Sequence, residues 1–394
     1  MTVGWDVYLA LSMAMFLEYA IWGAWAPVLA ARLLGPLGMS GKQTGWIYAT
    51  LPLACIFAPL ISGQLADSFF AIKWILAVSQ ALSGLFLLVA AFQRSFWPLF
   101  GVMFLHSCFY AATLPLVNAI LFQEVPDDST RAAVFIWAPV AWALVGYFLT
   151  GWRWIFKTEK EGRDCLILGG VLALVMAVCC ALFLPSNVPS QTGEIPIVKA
   201  LAKLQSLDFS IFIIVSLIAA GLMQFYFLGS ARFMQDIGIG AKNVPGIMAI
   251  AQAIQALATF FLLEQFIRTL GFKWMLTVGV LCWVLLYAVY FLMKPRWLIA
   301  VVQGFHGLAY VFFMIGGQIY GDSVAGAEIR SSMQALIFAV TTGIGLFLGT
   351  QLAGFVMDRA KEQEQFLWRK IWVVPGLILA ACALALAALF RGAS

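Results

Sequence analysis

The chain has 394 residues, 63% of them hydrophobic, 15% aromatic and only 10% charged, with a net charge of +5. Soluble domains average about 45–50% apolar and about 25% charged residues, so this composition excludes a disordered chain, a secreted disulfide scaffold and an ordinary soluble enzyme. The charge is too dilute for a nucleic-acid partner, and no basic run is present.

A spanning helix needs about 20 apolar residues. Twelve such segments are predicted, at 7–32, 44–66, 72–92, 97–123, 132–156, 164–185, 209–235, 243–267, 272–293, 296–321, 330–357 and 369–390. The first has no basic region before it and no cleavage site after it, so it reads as a mature helix, not a signal peptide. Strands are not expected, because an open sheet edge is not viable in lipid and barrel segments would alternate over about 10 residues. The polar stretch 186–208 divides an N-terminal bundle, 1–185, from a C-terminal one, 209–394. The expected fold is an all-α membrane protein of twelve transmembrane helices in two pseudo-symmetric six-helix bundles. The seven cysteines fall in or beside apolar segments and read as small packing residues, with no metal or cofactor site expected.

The halves repeat. A shift of 200 positions places Lys73-Trp74 over Lys273-Trp274, His106 over His306 and Tyr110 over Tyr310. The chain has two histidines, and both fall on this offset. A shift of 206 sets Glu18 over Gln224 and Trp22-Gly23 over Leu228-Gly229. Parallel six-helix repeats are the build of major facilitator transporters, whose substrate site lies near the midplane between the repeats.

Ionisable residues within spans are costly and are site candidates by default. Glu18, Trp22 and Trp25 are spaced to share one face of the first helix. A carboxylic acid in a dry cavity can bind and release a proton near neutral pH, whereas the structural alternative is a neutral Glu bonded to a neighbouring helix. His106 with Tyr110, and His306 with Tyr310, share faces of the fourth and tenth helices; the bland alternative for each His is an interhelical hydrogen bond. Gln224 and Tyr226 on the seventh helix, and Gln252 and Gln255 on the eighth, offer donors and acceptors to a neutral polar ligand or serve as interhelical glue. Asn118, Gln303 and Gln318 are weaker candidates; Arg232 and Glu264 lie nearer helix ends, where they are expected to snorkel or pair locally. Gly63 and Asp67 form G-x-x-x-D after the second helix, and Gly354, Asp358 and Arg359 form G-x-x-x-D-R at the end of the eleventh. The Gly allows close helix approach, and the Asp can pair with a base or cap a neighbouring helix, as a gate would. The alternative is a turn with a solvated Asp.

At these residues the chain resembles the nucleoside:proton symporter family of the major facilitator superfamily. The match runs through Phe16-Leu17-Glu18-Tyr19-Ala20-Ile21-Trp22-Gly23-Ala24-Trp25, Tyr48 to Asp67, Tyr110 to Asn118, Ile136-Trp137, Ala251-Gln252 and Glu328 to Gln334. The resemblance implies nucleoside import driven by protons, with Gln252 and Tyr310 at family substrate positions. This sequence departs from the family at Phe135 (an Arg there), Gln255 and Val311 (acids there) and Glu18 (a Gln there). With both termini cytoplasmic, as in the family, eight Lys and Arg fall inside and fifteen outside, opposite to the positive-inside rule. The family orientation is retained, in a bacterial inner membrane, with a monomer as the working unit.

The expected activity is alternating-access transport of a nucleoside or similar neutral ring solute. Trp22, Tyr110 and Tyr310 would pack on it. Gln224, Gln252, Gln255, His106 and His306 would hydrogen-bond it, with Tyr226 beside them. Glu18, with His306, would carry the coupling proton. The alternatives are a facilitative transporter of another solute on the same fold and, more remotely, a membrane-embedded enzyme using His106 or His306. No G-x-x-x-x-G-K-[ST] loop occurs for ATP-driven transport.

Overall fold

The computed structural model describes residues 3–126, 128–186, 206–325, 333, 336–363 and 365–392, without the side chains of 64, 67, 68, 128 and 129. Among the described residues, twelve helices are long and apolar enough to span a membrane. They are α1 (Trp5–Leu34), α2 (Gly41–Gly63), α3 (Ile72–Phe92), α4 (Phe96–Glu124), α5 (Thr130–Phe156), α6 (Asp164–Phe183), α7 (Leu207–Asp236), α8 (Val244–Phe261), α9 (Leu263–Leu292), α10 (Arg296–Val324), α11 (Leu336–Arg359) and α12 (Trp368–Leu389). Large apolar side chains such as Leu60, Trp97, Phe148 and Leu384 are exposed. They suit a lipid-facing surface, where no hydrophobic force drives them inward.

Two compact units emerge. One comprises Met1–Met39, Trp46–Gly193 and Gly240–Ala249; the other comprises Ser40–Gly45, Glu194–Ile239 and Ile250–Ser394. In the first, α3 packs on α4 and α6, and α1 on α5 and α6. In the second, α9 packs on α10 and α12, and α7 on α11 and α12. The pairs match one for one under the repeat. Local geometry repeats too: Lys73 Nζ lies 5.2 Å from the ring centroid of Trp74, and Lys273 Nζ lies 5.4 Å from that of Trp274.

Several helices are interrupted for identifiable reasons. Pro27 lacks an N–H, and α1 breaks at Ala26–Val28. The hydroxyl of Tyr48 enters the gap, donating to the Ala26 carbonyl (2.7 Å) and accepting from Ala30 N–H (3.0 Å). It therefore stands in for the missing i to i−4 bond. α10 has a π-helical turn at Tyr310–Ile315, and α11 another at Ala339–Gly345.

Two expectations are corrected. The segment predicted at 243–267 ends at Phe261, turns at Leu262, and gives way to a helical stretch that bends at Gly271 (φ 67°) into the rest of α9. Hydropathy cannot see a one-residue turn flanked by apolar residues. Strands do occur: Lys361–Glu362 pairs antiparallel with Gln365–Phe366 in a hairpin. It joins α11 to α12 outside the spans, where water can satisfy its edges. The seven cysteines are free thiols.

Candidate functional site

In the first unit, α1 and α4 pair their polar and aromatic residues in three layers. Glu18 meets Thr113, Trp22 meets Tyr110 (6.3 Å between ring centroids) and Trp25 meets His106 (5.9 Å). The i, i+4, i+7 spacing on α1 runs against 113, 110 and 106 on α4, so one face of each helix is used. α3 adds a polar group to the outer two layers. Gln80 Nε2 donates to Glu18 Oε2 at 2.8 Å, and Ser83 Oγ lies 2.9 Å from His106 Nδ1.

Glu18 is fully buried. Thr113 Oγ1 lies 2.8 Å from Glu18 Oε1, and the Tyr110 hydroxyl donates to the Glu18 backbone carbonyl at 2.6 Å. The other buried charged side chains among the described residues are Arg32, Arg153 and Asp164. Arg153 and Asp164 form a bidentate pair at 2.6 and 2.7 Å. Arg32 donates to backbone carbonyls of Ala91 (3.0 Å) and Glu161 (2.5 Å). Glu18 alone among these four has neither a basic partner nor a backbone partner on its side chain; an amide and a hydroxyl hold it.

In the second unit, α7 and α9 bring residues to His306 on α10. Its ring stacks on Tyr226 with centroids 3.9 Å apart, and its Nδ1 accepts from Trp283 Nε1 at 3.1 Å. An indole N–H only donates, so Nδ1 is bare and the neutral ring carries its hydrogen on Nε2. That Nε2 is buried and without a partner among the described residues. Gly307, the next residue, lies so close to α8 that a Cβ there would stand 2.0 Å from the Ala251 carbonyl and 2.9 Å from Gln255 N.

Gln224, Gln252 and Gln255 are buried, at 6–7% exposure. Their side-chain amides make no hydrogen bond among the described residues, and their polar atoms are not among the fully buried unpaired ones, so each amide keeps some accessible surface. Gln303 is the opposite case. Its amide takes the Tyr226 hydroxyl at 2.9 Å, exchanges with the Tyr290 hydroxyl and donates to the Ile299 carbonyl. Tyr226 therefore has its hydroxyl committed to Gln303 and its face to His306. Tyr310 is half-buried at the start of the π-helical turn.

The gating motifs divide. Gly63 lies on the helical stretch Gly41–Ser68, and the side chain of Asp67 lies outside the described residues. Asp358 caps the start of α2, accepting Gly41 N–H at 2.5 Å and Lys42 N–H at 2.9 Å. Ser40 and Gln43 form a capping box across the same turn, and Thr44 N–H reaches the Ser40 carbonyl. All four N–H groups that a helix start leaves open are thus satisfied. Gly354 permits the approach, since a Cβ there would lie 2.4 Å from the Gly41 carbonyl. Arg359 stacks on Phe355, its guanidinium 5.0 Å from the ring centroid. The repeat supplies a counterpart in the first unit: Thr150 Oγ1 accepts Gly246 N–H at 2.5 Å at the start of α8, and Arg153 donates to the Ala241 carbonyl. Lys42 lies over Phe355 and Lys242 over Trp154, 5.9 and 5.4 Å from the centroids.

A profile of the family described as Nucleoside H+ symporter matches residues 5–394. The chain belongs to the nucleoside:proton symporter family. It is a proton-coupled nucleoside transporter of the membrane, not an enzyme. It is 28% identical to the putative nucleoside transporter YegT of Escherichia coli (strain K12), over 97% of this chain and 93% of that protein. It is 23% identical to the nucleoside permease NupG of the same strain, over 98% and 96%. The crystal structure of the nucleoside transporter NupG aligns with a TM-score of 0.85 at 21% identity, over 98% of this chain and 99% of that one. The major facilitator fold expected from the repeat is thereby established.

Sequence reasoning missed Gln80, Ser83 and Trp283. Gln80 and Ser83 are uncharged polar residues inside a predicted span, the signal that singled out Gln252 and Gln255. Arg232 and Glu264 pair locally with Asp236 (2.8 Å) and Arg268 (2.5 Å), as their places near helix ends imply.

Proposed function

We propose that the chain imports nucleosides across a bacterial inner membrane as a monomer with both termini cytoplasmic, the stretch 186–208 joining its two bundles. Gln224, Gln252 and Gln255 hydrogen-bond the solute, with Nε2–H of His306 as a further donor and Tyr310 as an aromatic wall. Trp22 and Tyr110 keep the layer next to Glu18 aromatic, and Glu18 carries the coupling proton. Asp358 and Gly354 hold α2 in one stage of the cycle and release it in another. The observation that carries the solute site is three carboxamides of buried residues without protein partners among the described residues, set on α7, which stacks on His306, and on α8, which meets α10 at Gly307. An amide reads both donors and acceptors, which suits a neutral base and ribose.

A thermal-shift screen of the purified chain tests the substrate class, since a ligand stabilises the state it binds by mass action. Nucleosides are expected to raise Tm where nucleobases and simple sugars at the same concentration do not. In proteoliposomes, Glu18→Gln is expected to abolish gradient-driven accumulation of labelled nucleoside while counterflow exchange continues. Accumulation equal to wild type would remove Glu18 from proton coupling.

A further inference from the structure

We infer that Thr113 and Gln80 make Glu18 a two-state proton site whose moving part is the Thr113 hydroxyl. The inference rests on the proposed proton role of Glu18 and adds the residues that set when the proton is held. Thr113 Oγ1 lies 2.8 Å from Glu18 Oε1 and 2.7 Å from the Tyr110 carbonyl oxygen. A hydroxyl has one hydrogen, so it serves one of these acceptors at a time. Gln80 Nε2 lies within bonding distance of both Glu18 Oε2 (2.8 Å) and Thr113 Oγ1 (2.9 Å), and its two hydrogens satisfy both.

With Glu18 ionised, Thr113 donates to Oε1 and Gln80 donates to Oε2. When a proton binds Oε1, the new O–H donates to Thr113 Oγ1, whose own hydrogen turns to the Tyr110 carbonyl. Gln80 keeps both its bonds. No heavy atom moves, and the protonated form has one more hydrogen bond than the ionised form, that from Thr113 to the Tyr110 carbonyl. The proton enters and leaves at Oε1; Thr113 keeps its hydrogen throughout. Every described neighbour facing the carboxyl is neutral: Gln80 from α3, Thr113 and Tyr110 from α4, and Cys180 from α6. α5 brings Trp142, which packs on Trp22. The state of Glu18 is therefore set by hydrogen bonds and not by a charged partner. Thr113 and Gln80 are positioning residues.

The test is an infrared titration of the purified full chain, following the carbonyl stretch of neutral carboxylic acid as pH is varied, with Glu18→Gln to identify the Glu18 band. Thr113→Val keeps the shape and removes the hydroxyl. The ionised form loses a bond about twice as strong as one between neutral groups and has no other donor to replace it, whereas the neutral acid can donate to Gln80 Oε1, which is buried and unpaired among the described residues, once that amide turns over. The band's midpoint is expected to move to higher pH by about one unit, a tenfold tighter hold on the proton. Thr113→Ser, which keeps the hydroxyl, is expected to stay near wild type. Thr113→Ala serves if the Val variant does not fold. A midpoint unmoved in Thr113→Val or Thr113→Ala, or moved equally in Thr113→Ser, overturns the inference and leaves the Glu18 reading standing. Absence of any titrating band lost in Glu18→Gln removes both.

Discussion

Asp358→Ala isolates one helix cap with its control in the same turn. The side chain accepts the N–H groups of Gly41 and Lys42, whereas Gln43 N–H is held by Ser40 Oγ at 3.1 Å. Losing a side-chain cap costs about 0.5–2 kcal/mol, and a carboxylate at a helix start adds about 0.3–1 kcal/mol of dipole stabilisation. Asp358 is partly exposed, so solvent screening reduces the electrostatic share. A loss of about 1 kcal/mol is a reasonable working figure, and it corresponds to about a fivefold change in an opening equilibrium. Hydrogen exchange read residue by residue is the assay. Exchange at Gly41 and Lys42 is expected to speed up about fivefold while Gln43 keeps its wild-type rate. Unchanged exchange at Gly41 and Lys42 would refute the cap. Equal acceleration at Gln43 would mean that the whole turn has frayed, and would refute a local role for the carboxylate.

Two stability predictions follow from close packing and buried charge. Gly307→Ala drives a methyl against the backbone of Ala251 and Gln255, which cannot give way as a flexible side chain can. A loss of about 1–3 kcal/mol and a lower Tm are expected, and an unchanged Tm would contradict the contact of α8 with α10. Arg153→Ala leaves the carboxylate of Asp164, at 5% exposure, without its base. About 3–5 kcal/mol is expected from an uncompensated buried charge, with Arg153→Met paired with Asp164→Leu recovering most of the Tm; no recovery would mean that the pair does more than neutralise itself.

The helices were legible because a span imposes length and apolarity at once, and few other structures satisfy both. The repeat was legible because rare residues fell on one offset. The two histidines and the two Lys-Trp pairs marked it, and the Lys-Trp geometry repeats in the structure. What the sequence hid is mostly tertiary. Glu18 announces itself as an acid in an apolar helix, but its partners lie 62 and 95 residues away. Periodicity on α1 says nothing about which face of α3 or α4 it meets. Unlike Glu18, Gln80 bears no charge to draw notice. The cap by Asp358 spans 317 residues, and only the idea that such an Asp can cap a helix was available beforehand. The turn at Leu262 left no polar trace to read.

The repeat also shows where chemistry has diverged from scaffold. Ser83 bonds His106 Nδ1, and Trp283 bonds His306 Nδ1, each pair 23 residues apart and each joining the third and fourth helices of its half. The bond to the ring recurs in both halves while the partner type differs. Close to that scaffold the halves part. The positions that correspond to Gln80 and Thr113 are Val280 and Phe313, both buried and apolar. The position that corresponds to Glu18 is Gln224, whose amide has no partner among the described residues. A carboxyl there would have neither the amide nor the hydroxyl that holds Glu18, so the second half lacks the partners of the proposed proton site. It carries uncharged donors and acceptors instead. Under the proposed function, the first half would hold the proton and the second the neutral polar solute.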